Sequence, residues 1–177
     1  MGSAGKWACC NVGASAPWEY GGYYAWGETE EKSTYGWTTY KHCDGSNTTL
    51  RDIGTDIAST QYDVAHVKWQ GNWQMPNYDQ AKLLTQCSGE LTTLNNVPGR
   101  KYIGSNGNYI FLPAPGIIRP SGLDTSDVDV HGWYWSSVSP SSLSETLYGF
   151  WFYTDGTVKS GLVGSRPNGL PVRPVSK

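Results

Sequence analysis

The sequence predicts a single α+β domain over residues 1–177. Two helices of the N-terminal half pack on a small antiparallel sheet, and the C-terminal half is loop-rich. Three observations predict this. Capped, helix-periodic segments occur twice, both before Gly89. After Gly89 the apolar residues fall into short runs broken by Gly, Asn, Asp and Pro, the punctuation of strands and turns. Nine Trp and twelve Tyr stand against three Phe, with 22 Gly and 10 Pro. Rings with an apolar body and a polar handle can hold long irregular loops on a modest sheet. A length of 177 residues suits one domain and is enough to bury a core.

Taken in order, residues 6–12 read as a first strand. From 16 to 49 the chain is aromatic and Gly-rich without a clean period, which predicts structured loops. A first helix is expected over about 60–69. Thr60 is its cap, Asp63 sits three residues on, Tyr62, Ala65 and Trp69 share a face, and Gly71 ends it. A second helix begins after Pro76. Asn77 is its cap, Gln80 sits three residues on, Ala81, Leu84 and Cys87 form its apolar stripe, and Gly89 stops it. Residues 102–103 and 109–112 flank Ser105-Asn106-Gly107-Asn108 and read as a hairpin. Its second arm is apolar on both faces, which places it deep in the core, and Pro113 ends it. Residues 147–153, the turn at Asp155-Gly156 and the return from Val158 make a second hairpin. Residues 172–175 form a short closing strand. There is no repeat of fixed period and no low-complexity tract.

Charge and motif content exclude several functions. Thirteen Lys+Arg against fifteen Asp+Glu give a formal net charge of −2 with no basic stripe, which argues against a nucleic-acid partner. No apolar run approaches the length of a membrane span. No export signal is visible, since Met1-Gly2-Ser3 leads straight to Trp7. The cysteines are Cys9, Cys10, Cys43 and Cys87. They form no C-x-x-C pair and no zinc-type Cys/His spacing. Three complete pairings are open to them, and buried free thiols are the simpler reading. In a strand, Cys9 and Cys10 would point to opposite faces. No G-x-S-x-G, H-E-x-x-H or phosphate-binding Gly loop occurs. His42, His66 and His131 are isolated, and His66 reads as a surface or satisfied helix residue. Asp124, Asp127 and Asp129 could gather oxygen ligands for calcium but read more simply as a solvated acidic loop. Glu28, Glu30 and Glu31 beside Lys32 read as a solvated turn. Arg166 and Arg173 read as structural, stacking on rings or bonding backbone carbonyls, Arg173 above all. The sequence thus implies no cofactor and no metal.

Six ordered phrases carry a resemblance. They are W-A-C-C-N-V-G-A from Trp7, G-Y-Y-A-W-G-E-T from Gly22 and Y-D-V-A-H-V-K-W-Q-G-N-W-Q-M-P from Tyr62. N-Y-I-F-L-P-A-P-G from Asn108, W-Y-W-S-S from Trp133 and V-R-P-V from Val172 complete the set. Together they resemble the Fibrobacter-type major paralogous domain, from about Trp7 to Val175. Gln74 stands where that family usually has the Arg of W-R-M-P. Gly169-Leu170-Pro171 replaces its common Gly-Arg-Ser. The resemblance implies a C-type lectin-like fold, related to the formylglycine-generating-enzyme branch. Residues 7–12 and 172–175 would then share one sheet. It also implies an extracellular or cell-surface place in a bacterium or phage. Some relatives are variable proteins of diversity-generating retroelements, in which substitutions concentrate between W-S-S and the last strand. Ser-Pro-Ser-Ser-Leu-Ser at 139–144 and Leu-Val-Gly-Ser at 162–165 are compatible with the NNY codons such diversification leaves.

The enzymatic relatives need a late cysteine pair or an H-x-x-x-H-x-E iron site. Here no Cys follows Cys87 and the histidines are scattered. The E-P-N or Q-P-D and W-N-D motifs of calcium-dependent lectins are also missing. The expected function is therefore a non-catalytic ligand-binding or display module that recognises an unknown surface protein or glycan. The alternatives are a structural domain of a fimbrial or tail assembly and, less favoured, a formylglycine-generating-enzyme-like oxidase. The expected contact patch is Ser139, Ser141, Ser142, Ser144, Tyr148, Phe150, Leu162, Val163, Ser165, Pro167 and Asn168. Tyr148 and Phe150 share a strand face, the 155–156 turn folds 158–165 back beside them, and the loop 137–144 leads in. Strand alternation equally permits the opposite choice, with Trp151 and Tyr153 outward.

Overall fold

The two ends of the chain meet in the computed structural model, which describes residues 2 and 5–177. β1 (Lys6–Trp7) runs antiparallel to β11 (Val175–Ser176) with Trp7 opposite Val175, and β2 (Trp73–Gln74) flanks β11 on its other side. The pairing continues as single hydrogen bonds. Ala8 N–H reaches Pro174 O at 2.9 Å, Val12 N–H reaches Val172 O at 3.0 Å, and Tyr24 N–H reaches Leu170 O at 3.0 Å. Residues 7–12 thus lie along 172–175 as expected. The regular strands are shorter than expected because Pro171 and Pro174 bring no N–H to a ladder.

The first helix, α1 (Val64–Trp69), starts four residues later than the sequence suggests, and its cap is Asp63, not Thr60. The buried Asp63 carboxylate accepts from His66 N–H at 3.0 Å, Ser59 N–H at 2.8 Å and Met75 N–H at 2.9 Å. Thr60 instead closes the preceding turn onto Ile57 O. The helix ends at Gln70, whose φ of 58° no further helical turn can follow. α2 (Tyr78–Thr85) begins as its sequence spells, with a reciprocal Asn77–Gln80 capping box. Ala81 and Leu84 are buried, and Cys87 packs on the same cluster from beyond the helix end. Gly89 is not the stop. It lies inside β3 (Ser88–Leu94), where a Cβ would come within 2.3 Å of Lys101 O.

β3 pairs with β4 (Val97–Ile103), and β4 with β5 (Tyr109–Pro113). The β4–β5 hairpin is the expected one, and β5 is buried from Ile110 onward. The β3–β4 hairpin is an addition to the expected elements. Its signal is Asn95-Asn96, both at positive φ (52° and 65°), the backbone that a two-residue hairpin turn requires and Asn tolerates. A short pair, β6 (Ile118–Arg119) with β7 (Gly122–Leu123), precedes the last sheet. That sheet has the order β10-β9-β8, with β8 at His131–Trp135, β9 at Thr146–Tyr153 and β10 at Val158–Ser165.

Both faces of this sheet are covered. Tyr134, Phe150 and Phe152 face a core shared with α2, Trp7 and Tyr102. Trp135 and Leu147 face a second core with Trp26, Ile57, Met75 and Val172. The irregular segment 23–43 is tied down through ring handles. Trp26 Nε1–H donates to Ser136 O at 3.0 Å, Trp135 Nε1–H to Tyr24 O at 2.8 Å, and Tyr40 O–H to Trp26 O at 2.8 Å. The Trp- and Tyr-rich composition therefore satisfies loop carbonyls that a sheet would otherwise pair. The described residues make a mixed α+β fold of small antiparallel sheets and two α-helices, none long and apolar enough to cross a membrane.

Candidate functional site

The serine-rich loop between β8 and β9 is held from beneath by an arginine. Arg166 is wholly buried and its guanidinium lies 4.8 Å above the Trp26 ring. Its Nε donates to Ser144 O at 2.6 Å and its Nη2 to Ser142 O at 2.8 Å. Main-chain bonds complete the frame: Ser137 N–H to Pro76 O, Ser139 N–H to Thr55 O, Tyr148 N–H to Val138 O and Arg166 N–H to Glu145 O. The backbone is thereby fixed by the buried Arg166 and by main-chain bonds while alternate side chains project. Ser141 is exposed, and Leu143 is 56% exposed. Glu145 is also exposed and takes a hydrogen bond from Asn47. Asp52 sits beside the loop. Its carboxyl is held below the usual carboxylate range by the Gly54 N–H and then by the Ser142 hydroxyl.

Seven of the eleven expected contact residues gather at this end of β9–β10. Ser141, Ser142 and Ser144 lie on the loop, Ser165 stands opposite Thr146, and Asn168 follows in the next turn. Tyr148 and Leu162 are direct cross-strand partners. Tyr148 leans on Tyr78 of α2 with ring centroids 4.5 Å apart, and Leu162 is 54% exposed.

The other four are not on the surface. Phe150 is fully buried, stacked on Tyr134 at 5.1 Å and edge-on to Trp7 at 5.8 Å. It shares a face with Tyr148 but lies nearer the middle of the sheet, where α2 covers it. Val163 is turned inward by the β-bulge between Leu162 and Gly164, and its Cγ1 occupies the space a Cβ on Gly149 would need. Ser139 is buried, its hydroxyl donating to Ser141 O. Pro167 is buried as well. Both serve as backing rather than contact.

Leu143 joins the patch in addition to the expected residues. Its signal is that it is the one large apolar side chain in a loop of Ser and Pro. Neither face of β9 is simply open, so neither simple alternation holds. The opposite set, Trp151 and Tyr153, is half-buried. It forms cross-strand pairs with β8, Trp133 on Trp151 at 5.5 Å and His131 on Tyr153 at 4.3 Å.

The acidic loop is only partly solvated: Asp129 is exposed, Asp124 half-buried and Asp127 buried. Arg119 takes both Asp124 and Asp127, His131 Nδ1 bonds Asp127, and Asp129 accepts from the Tyr20 hydroxyl. Asp124 and Asp127 share Arg119 while Asp129 turns to Tyr20, and no group of His, Cys, Asp and Glu among the described residues is arranged to hold a metal ion. A chelator is expected to leave the melting temperature unchanged, and a fall of several degrees in a thermal scan would contradict this. Glu28 also departs from its expected solvated turn. It is buried, accepts from Lys41 N–H at 2.8 Å and pairs with Lys32 at 2.9 Å.

No family model, no curated protein and no solved structure matches the chain.

Proposed function

We propose that the protein is a non-catalytic binding module that recognises a protein or glycan through the serine loop and the adjoining end of β9–β10. We take it to resemble the Fibrobacter-type domain with a C-type lectin-like fold, displayed at a cell surface or on a phage particle. One observation carries the reading: the buried Arg166 holds Ser142 O and Ser144 O while the side chains of Ser141, Leu143 and Leu162 face outward. A loop ordered before its ligand arrives loses little conformational freedom on binding. Small hydroxyls beside a tyrosine and two leucines give adaptable hydrogen bonding next to apolar contact area. A backbone fixed from beneath also lets outward side chains vary at little cost in stability, as a diversified surface requires. The meeting of the chain ends, the two helices and the ring-tied loops support the lectin-like fold. The non-catalytic reading rests on the absence of cysteine after Cys87 and on the scattered histidines.

The test is a binding screen against a glycan array and a panel of purified bacterial surface proteins, with and without calcium. The variant Ser141→Asp/Leu143→Asp/Leu162→Asp is expected to lose every hit, while its melting temperature stays within a few degrees of the parent. Hits retained by the variant would move the contact surface elsewhere. Silence of the parent on both panels would favour a structural domain of a larger assembly.

A further inference from the structure

Two neighbouring carbonyls converge on one nitrogen near the start of the chain. Arg173 Nη1 lies 3.3 Å from Ala8 O and 3.0 Å from Cys9 O, while its Nε donates to Asn11 Oδ1 at 2.8 Å. In a strand, successive carbonyls point to opposite sides, so two neighbours cannot reach the same atom. The chain accordingly leaves the strand after Trp7, where β1 ends. The kink also gathers the sulfurs. Cys9 Sγ lies 3.6 Å from Cys10 Sγ, whereas an extended chain would set them on opposite faces.

We propose that Cys9 and Cys10 are a reversible dithiol–disulfide pair. Cys9 is exposed and meets the oxidant first, and Cys10, buried directly behind it, resolves. Cys9 also lines an open cleft of about 220 Å³ with Pro17, Leu94, Tyr109 and Phe111, room for a small oxidant. No other two thiols are in contact. Cys43 is buried and bonded to Trp37 O and Tyr40 O, and Cys87, half-buried after α2, lines a separate cleft that holds no second cysteine. Burial and the neighbouring Cys9 push the Cys10 thiol up to about 11, which leaves the first attack to Cys9.

With a small disulfide such as oxidised glutathione, the Cys9 thiolate attacks one sulfur, the glutathione S–S bond breaks and one glutathione thiolate leaves. Cys10 then loses its proton to solvent and attacks Cys9 Sγ. The Cys9–Cys10 bond forms and the second glutathione departs. Two cysteine thiols are oxidised by two electrons in all, and one disulfide is reduced to two thiols. Adjacent Cα atoms are about 3.8 Å apart, below the roughly 4.4–6.8 Å of relaxed disulfides. The closed ring is therefore strained and readily reduced, as suits a switch more than a permanent staple.

The test exposes the folded, full-length chain to oxidised glutathione and reads intact and peptide masses. The expected product is a monomer lighter by two hydrogens, mapped to the peptide holding Cys9 and Cys10 and restored by dithiothreitol. Cys9→Ser, at an exposed position, is expected to melt like the parent and to show neither the loss nor an adduct at Cys10. Cys10→Ser is expected to stop at a glutathione adduct on Cys9. Phenylarsine oxide, which bridges two adjacent thiols, is expected to bind the parent one to one and to leave Cys9→Ser untouched. A parent chain that keeps its mass, stops at the adduct or dimerises through Cys9 overturns the proposal.

Discussion

Removing residues 170–177 is expected to leave an unfolded chain. The segment closes the fold from both sides. Val175 is fully buried in the core beneath α2, and Leu170 and Val172 are fully buried in the second core. Each such side chain contributes about 1.5–3 kcal/mol on burial. The segment also carries β11, the middle strand between β1 and β2, so both neighbours lose their partner. Arg173 goes with it. Wholly buried, with burial lowering its pKa, it donates to Asn11, Ala8 and Cys9. Losing it strands buried acceptors at roughly 1–3 kcal/mol each. The combined loss is on the order of the whole ~5–15 kcal/mol stability of a domain. Circular dichroism and a thermal scan decide it. A truncated chain with the parent's cooperative melt would show that the paired ends are dispensable.

Arg166→Ala is expected to lower stability by roughly 3–5 kcal/mol and to release the serine loop. Two charge-assisted bonds vanish, to Ser142 O and Ser144 O, along with the contact to the Trp26 ring. A cavity remains where the buried side chain lay. Arg166→Lys keeps the charge but not the planar fork that spans two carbonyls, so most of the loss should persist. The main-chain bonds of residue 166 to Glu145 and Trp26 survive either change, so the damage centres on the loop. Urea unfolding reads the first effect. Amide exchange reads the second, faster across 139–146 and unchanged across β4 and β5. A shift within about 0.5 kcal/mol, the ordinary range of surface substitutions, would mean that the loop orders itself without the clamp.

The elements legible in the sequence are those whose decisive contacts are local. The Asn77–Gln80 capping box spans three residues, and the 105–108 and 155–156 turns carry their own Gly and Asn or Asp. Thr60 and Asp63 are both good caps, so the local sequence does not fix the start of α1. The choice falls to Asp63 because its carboxylate also binds Met75 N–H, twelve residues on. The β3–β4 hairpin was legible in Asn95-Asn96, although neither residue is the Gly that usually marks such a turn.

The candidate site divides in the same way. The serine loop, the β9–β10 hairpin and the pairing of the chain ends could be read from short motifs and the resemblance they carry. A period of two places Tyr148 and Phe150 on one face but says nothing of what covers it, and α2 covers Phe150 while leaving Tyr148 half open. Arg166 reaches carbonyls 22 and 24 residues away, and Arg173 reaches Ala8 across 165. The sequence by itself determined where the chain turns, which segments pair locally and that large amphipathic rings would hold its loops. Only the tertiary structure decided which side chains of β9 are buried, which carbonyls the two arginines hold and that Cys9 and Cys10 face each other. The first two depend on partners brought close by folding, and the third on a kink whose carbonyls bond Arg173 from the other end of the chain, so no local spacing encodes them.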